Sequence, residues 1–138
     1  MDTSISIDPY RRFIRVRQIG ALTPESVMAA REASTPMFNP IDLDRVLVDY
    51  RQADLSLLSL LEIDALGMKL KDDVPLLQKM ALIYAPSAQD HLYRHIENIC
   101  SLSGVETRIF TSERAATDWL LKPLEPIMPE TADFGPCD

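Results

Sequence analysis

The sequence predicts a single α/β domain: one mixed, mostly parallel sheet of about five strands, covered by about four helices in the order ββαβαβαβα. Two short apolar runs, RVLVDY at 45–50 and QKMALIY at 78–84, are typical of strands buried on both faces of a sheet. Helical patterns with capping residues separate the strands. Strands that alternate with helices imply right-handed parallel crossovers, so we expect a largely parallel sheet.

The chain begins with two strands that we expect to pair as a hairpin. The first, at 4–7, places its two isoleucines on one face, and an Asp-Pro-Tyr turn signal follows it. In the second, at 12–19, Ile14 and Val16 face the core, whereas the arginines alternate with them and mostly face water. We expect the first strand to form an antiparallel edge of the sheet.

The first helix has a clear start signal. Thr23 fits the N-cap, Pro24 the first helical position and Glu25 the favourable end of the helix dipole. The helix should end near Glu32, because the segment 34–43 contains two prolines and an asparagine and is predicted to be a loop.

A leucine-rich segment, LSLLSLLEIDALGMKL at 55–70, predicts the second helix. Ser59 and Glu62 have the spacing of a capping box, and Ser56 could cap one turn earlier, so the helix should start near Ser56. It is apolar on more than one face, so it lies within the core, lines a lipophilic cavity or packs against a second copy of the chain. The candidate docking or cavity residues are Leu57, Leu58 and Leu61.

The remaining elements close the predicted fold. Ser87 begins a capping-box-like turn before a helix that runs to Leu102. A short strand at 107–110 follows, and Thr111 or Ser112 caps the last helix. These elements make residues 1–121 one domain, and the proline-rich segment 122–138 is predicted to be an extended or disordered tail.

The composition of the chain argues against several classes of partner and location. The net charge of −7 has the wrong sign for nucleic acids or anionic membrane surfaces. No apolar run is long enough to span a bilayer, and no apolar signal core is present at the start. Cys100 and Cys137 do not form a disulfide framework. We therefore expect a cytoplasmic protein that binds no nucleic acid and does not insert stably into membranes.

Polar residues follow the predicted parallel strands at the edge of the sheet where open α/β folds bind ligands. The candidate ligand or partner rim consists of Asp49, Arg51, Asp54 and Ser87. Helix capping alone also explains most of these residues, so both interpretations remain open.

The sequence shows no constellation for catalysis, a cofactor or a metal. With four glycines, it has neither a glycine-rich phosphate loop nor a nucleophile with a base at an arguable spacing. His91 and His95 stand four residues apart, but a third ligand at a matching spacing is missing. We therefore expect a protein that is not an enzyme and has no cofactor and no metal site.

Three stretches together carry a resemblance to a known family. They are IRVRQIGALTPE at 14–25, RVLVDYRQADLS at 45–56 and VETRIFTSERAATDWL at 105–120. In these features the chain resembles the SpoIIAA-like branch of the STAS superfamily, whose fold is also likened to the CRAL-TRIO lipid-transfer domain. The third stretch would be the closing strand–helix unit, with Trp119 and Leu120 packed back onto the sheet.

The resemblance implies a regulatory protein-interaction module that docks an unidentified regulatory protein through the second helix and the adjacent strand-end loops. In the anti-sigma-factor antagonists of this superfamily, a regulatory serine directly follows an aspartate at the start of that helix. Ser56 and Ser59 are the candidate phosphoacceptors here, although Asp54 is not adjacent to either. Two alternatives are a homodimer through the same helix and a CRAL-TRIO-like protein that binds a lipid or another small lipophilic ligand.

Overall fold

A computed structural model of the protein describes residues 2–8, 10, 12–38 and 43–124. The strands of this part are β1 (Asp2–Asp8), β2 (Phe13–Ala21), β3 (Arg45–Asp49), β4 (Ala53–Asp54), β5 (Lys79–Ile83) and β6 (Glu106–Phe110). The helices are α1 (Pro24–Phe38), α2 (Leu60–Met68), α3 (Leu70–Asp73), α4 (Asp90–Leu102) and α5 (Glu113–Leu120). The predicted tail lies outside the described residues from position 125 onward.

The strands form one mixed, mostly parallel sheet in the order β1-β2-β3-β5-β6. β1 pairs with β2 in antiparallel register and lies at one edge, as the sequence predicts. β2, β3, β5 and β6 are parallel, and the two-residue β4 pairs with the end of β2. The predicted fold class is confirmed; the additions are the short elements β4 and α3.

The topology distributes the helices unevenly over the two faces of the sheet. Each parallel strand lies beside the one before it, so right-handed crossovers bring α1, α2 and α4 to the same face. α5 follows the edge strand β6 and packs on the opposite face, against β3 and β5. We call the first the three-helix face and the second the α5 face.

The α5 face has a small core of buried residues. Its buried residues are Phe13, Leu47, Ala81, Ile83, Ala116, Trp119 and Leu120. Trp119 and Leu120 thus pack back onto the sheet as expected. The buried Lys79 ammonium donates to the carbonyl oxygen of Trp119 at 2.7 Å and lies 4.3 Å from the centroid of the Trp119 ring. A buried lysine therefore fixes the end of α5 to the sheet.

Helix α1 is longer than predicted and extends to Phe38, with Pro36 inside it. The prediction that it ends near Glu32 and that a loop begins at 34 is wrong. Pro36 removes one backbone donor, but Ser34 and Phe38 in the same last turns are buried against the core. Tertiary packing therefore outweighs the local signal of the proline.

Helix α2 begins at Leu60, not near Ser56. Ser59 is the N-cap, its hydroxyl accepts from the Glu62 backbone N–H, and the Glu62 side chain accepts from the Ser59 N–H, which completes the predicted capping box. Near its end, α2 approaches α4 closely at Gly67, where an added Cβ would stand 2.0 Å from Cγ2 of Ile99. The packing of these two helices therefore requires a glycine at this position.

Candidate functional site

The loop that leads into α2 is held by hydrogen bonds to the start of α4. The Asp54 carboxylate accepts from the backbone N–H of Ser56 at 3.0 Å and from the Gln89 side-chain amide at 2.8 Å. The Gln89 side-chain oxygen accepts from the backbone N–H of Leu55 at 3.2 Å. Leu55 itself is fully buried. The hydrogen bond from Gln89 holds the pKa of Asp54 below its ordinary value, so this carboxylate is charged at neutral pH.

Three leucines around the start of α2 point into solvent. The exposed fractions are 60% for Leu57, 55% for Leu60 and 78% for Leu61. We call these three residues the leucine patch. Exposed leucines that lie close together in the sequence at a capped helix start are candidates for a surface that binds another molecule.

The predicted docking or cavity residues separate into two groups. Leu57 and Leu61 belong to the leucine patch, whereas Leu58 is half-buried and packs against the core of the three-helix face. Leu57 and Leu58 also lie in the turn before α2, because the helix begins at Leu60. The segment therefore presents one apolar surface outward and another inward.

The candidate phosphoacceptors Ser56 and Ser59 are both exposed and both stand beside carboxylates. The Ser56 hydroxyl donates to the Asp54 carboxylate at 2.9 Å. The Ser59 backbone N–H donates to the Glu62 carboxylate at 2.9 Å. A phosphate on either serine would add negative charge next to an existing carboxylate, which opposes the modification electrostatically.

Asp49 and Arg51 of the predicted rim form an ion-pair network on the α5 face. The Arg51 guanidinium donates to both Asp49 oxygens, at 3.0 and 2.7 Å, and to Glu113 at 3.1 Å. Arg15 donates to the other Glu113 oxygen at 2.8 Å. Burial alone would raise the pKa of Asp49, but the hydrogen bonds and charge of Arg51 outweigh it and hold that pKa below its ordinary value. The network binds β2, β3 and α5 together.

Asp54 and Ser87 belong to a second cluster, so the predicted rim is divided. The Ser87 hydroxyl accepts from the Gln89 backbone N–H at 3.0 Å, and Gln89 in turn binds Asp54. The division follows from strand geometry. Asp49, two residues along β3 from the buried Leu47, points to the α5 face, whereas Asp54 is the last residue of the extra strand β4.

A cavity of about 100 Å³ lies inside the three-helix face. Its wall includes residues of the strands, of α1, of the turn before α2, of α2 and of α4, among them Val16, Val48, Leu82, Leu58, Leu66 and Cys100. It is thus directly behind the segment that carries the leucine patch. The α2 segment separates an internal apolar space from an external apolar surface.

The two histidines are differently placed. His95 is hydrogen-bonded through Nε2 to the Asp64 carboxylate, which connects α4 with α2, and His91 is exposed. Within the described residues, no three His, Cys, Asp or Glu side chains are grouped so that they could hold a metal ion. In the same part of the chain, no helix is both long and apolar enough to cross a membrane.

Sequence reasoning missed two residues that shape this site. Gln89 connects the loop before α2 to α4, but glutamine is not a typical capping residue and gave no local signal. Gly67 permits the close approach of α2 and α4. A glycine inside a helical pattern was the available signal for a packing constraint of this kind.

The comparison with solved structures agrees with this architecture. The chain is similar to the crystal structure of an uncharacterised protein of the DUF3478 family with a SpoIIAA-like fold, from Shewanella loihica PV-4. The TM-score is 0.57 and the sequence identity 21%, over 86% of this chain and 92% of that one. The fold is SpoIIAA-like. No protein-family model matches the sequence, and no curated protein matches it. The expected SpoIIAA-like fold is thereby confirmed.

Proposed function

We propose that this SpoIIAA-like protein is a non-enzymatic regulatory module that docks another protein through the leucine patch. The observation that carries the proposal is the exposure of Leu57, Leu60 and Leu61 on a turn and helix whose backbone is fixed by a capping box. A rigid apolar surface loses little conformational entropy on binding, so its contacts contribute efficiently to affinity. We further propose that the protein acts in the cytoplasm.

The charge around the patch favours a partner of a particular chemistry. The segment 54–68 contains three carboxylates, Asp54, Glu62 and Asp64, and no lysine or arginine. An apolar surface with a basic rim would complement it in both shape and charge. Two copies of this chain joined through the patch would bring like charges together, which weighs against a homodimer.

Two observations support a role without catalysis. Burial raises the pKa of the Cys100 thiol to about 11, so it is protonated and unreactive at neutral pH. The charged side chains Asp49, Arg51 and Glu113 are paired with one another. These groups are therefore occupied in structural interactions.

The test compares partner retention by immobilised wild-type chain and by two patch variants, Leu57→Asp and Leu61→Asp. Proteins from the source cells that remain bound are quantified by mass spectrometry. A protein that binds the wild type, is lost from both variants and presents a basic, apolar surface would support the proposal. We expect at least a tenfold loss, because a charge is placed in the centre of an apolar contact. Equal retention by wild type and both variants would contradict docking at this patch.

Leu102→Asp is the matched control. Leu102 is 73% exposed at the end of α4 and lies outside the leucine patch, so the same chemical change is made at a similar exposure. This control should retain the partner and should unfold at the same temperature as the patch variants. Loss of the partner from Leu102→Asp as well would indicate a nonspecific effect of added charge and would count against the patch.

A second function is favoured by a separate observation. The internal cavity supports binding of a small ligand, as in the lipophilic-ligand alternative. Its volume of about 100 Å³ is too small for a fatty acyl chain or an isoprenoid, so the lipid-transfer form of that alternative is less well supported.

A further inference from the structure

We propose that the cavity of the three-helix face binds one small, uncharged, apolar molecule of about the size of benzene. This inference does not depend on docking at the leucine patch. It rests on the volume of the cavity, the composition of its wall and the way in which the polar groups of that wall are already paired.

The volume sets the size of the ligand. The cavity measures about 100 Å³. A water molecule needs roughly 10–15 Å³ measured in this way, and an apolar protein cavity of about 150 Å³ is known to remain dry and to accept benzene or xenon. The space is therefore sufficient for a single compact molecule or a noble-gas atom.

The polar side chains in the wall have partners within the protein. The Gln18 amide donates to the carbonyl oxygen of Ser26 at 3.1 Å, and its oxygen accepts from the Tyr50 hydroxyl at 3.1 Å. The Ser34 hydroxyl donates to the carbonyl oxygen of Arg31 at 3.1 Å. Water in the cavity would gain little from groups that are already hydrogen-bonded, so an apolar occupant is favoured.

The wall also presents no uncompensated charge. Arg31 lines the cavity, but its guanidinium forms an ion pair with Asp73 of α3 at 2.9 Å. Burial raises the pKa of Tyr50 to about 12 and that of Cys100 to about 11, so both are neutral at pH 7. A charged ligand would lose its hydration, and an anion could gain an ionic partner only by competing with Asp73 for Arg31, so the site favours neutral molecules.

The probes are benzene, xenon and benzoate, added to the full-length protein. We expect benzene and xenon to cause saturable shifts of the methyl NMR signals of Val16, Val48 and Leu82, and no shifts of Leu47 and Ile83 on the α5 face. Benzene at about ten times its Kd should raise the unfolding midpoint by about 4 °C. Benzoate, which adds only a carboxylate to the same ring, should cause neither effect.

Filling variants on opposite walls test the location. Ala30→Val on α1 and Val48→Ile on β3 each reduce the free volume, so each should weaken benzene binding at least tenfold. Ala33→Val is the matched control, because Ala33 is exposed on the same helix and the variant should bind benzene as the wild type does. If Ala30→Val does not fold, Val48→Ile decides the question.

Three results would overturn the proposal. The first is the absence of saturable shifts with either apolar probe up to its solubility limit. The second is binding of benzoate as tight as that of benzene, which would refute a neutral ligand class. The third is benzene binding that is unchanged in the folded filling variants, which would locate the binding elsewhere.

Discussion

The two faces of the sheet are built from the same strands but are packed in different ways. The α5 face is closed by one helix whose Trp119 and Leu120 fill the space against the strands. Lys79 holds the end of that helix, and the Arg51–Glu113 network holds its start. The three-helix face is larger, contains a cavity and carries the exposed leucine patch. The α5 face therefore holds the end strands and the last helix together, whereas the three-helix face leaves apolar surface exposed.

The largest expected effect comes from truncating the centre of the α5 face. Trp119→Ala should lower the free energy of unfolding by about 3–5 kcal/mol, because it removes a large buried ring in a packed core. Leu66→Ala, at a half-buried residue beside the cavity, should cost about 1–2 kcal/mol. Urea unfolding measures both. Equal losses of unfolding free energy in the two variants would contradict the proposed difference in packing between the two faces.

Adding volume to each face gives a more direct comparison. Ala81→Val on the α5 face should cost about 1–3 kcal/mol, because Ala81 is fully buried in that core and its neighbours would have to shift to accommodate two methyl groups. Ala30→Val beside the cavity should change the free energy of unfolding by less than about 1 kcal/mol. Secondary-structure propensities alone would give the opposite order, because valine is favoured in the strand at Ala81 and disfavoured in the helix at Ala30. A larger cost at Ala30 in thermal unfolding would show that the cavity cannot accept a side chain.

The close approach of α2 and α4 is tested at Gly67. Gly67→Ala should lower the free energy of unfolding by about 1–2 kcal/mol, because the clash with Ile99 exceeds the gain in helix propensity. In an Ile99→Ala background the same substitution should cost less, which a double-mutant cycle measures by chemical unfolding. A cost that is independent of Ile99 would contradict the contact.

The ion-pair network on the α5 face predicts a pH-dependent contribution to stability. Asp49 has a folded-state pKa below its ordinary value, so its charged form stabilises the fold at neutral pH, and this contribution is lost as the pH falls through that lowered pKa. Asp49→Asn should therefore cost about 1 kcal/mol at pH 7 and progressively less below about pH 4. Unfolding midpoints measured from pH 7 to pH 2 check this. A constant difference would show that the charge of Asp49 is not responsible.

The elements that depend on local patterns could be predicted from the sequence. The buried strands and the Ser59–Glu62 capping box follow from spacing and residue type. The return of Trp119 onto the sheet is implied by the resemblance to the SpoIIAA-like branch. The continuation of α1 through Pro36 could not be predicted, because it depends on burial of Ser34 and Phe38 by distant residues.

The candidate site was predictable in its residues but not in its arrangement. The leucine-rich segment and the polar strand ends contain most of the residues concerned. The start of α2 at Leu60 decides which leucines face outward. The presence of β4 separates Asp54 from Asp49 and so divides the predicted rim into two clusters. The cavity results from the packing of three helices on the sheet, which residue spacing does not encode.

The native mass of the 138-residue chain at micromolar concentration distinguishes a patch that is open to another protein from a patch that joins two copies. The central claim is that the leucine patch is open to a different protein, because the carboxylates around it oppose pairing of two copies. We expect the mass of a monomer for the wild type and for Leu61→Asp alike. A stable dimer that Leu61→Asp converts to a monomer would contradict this expectation and would make the patch a contact between two copies of this chain.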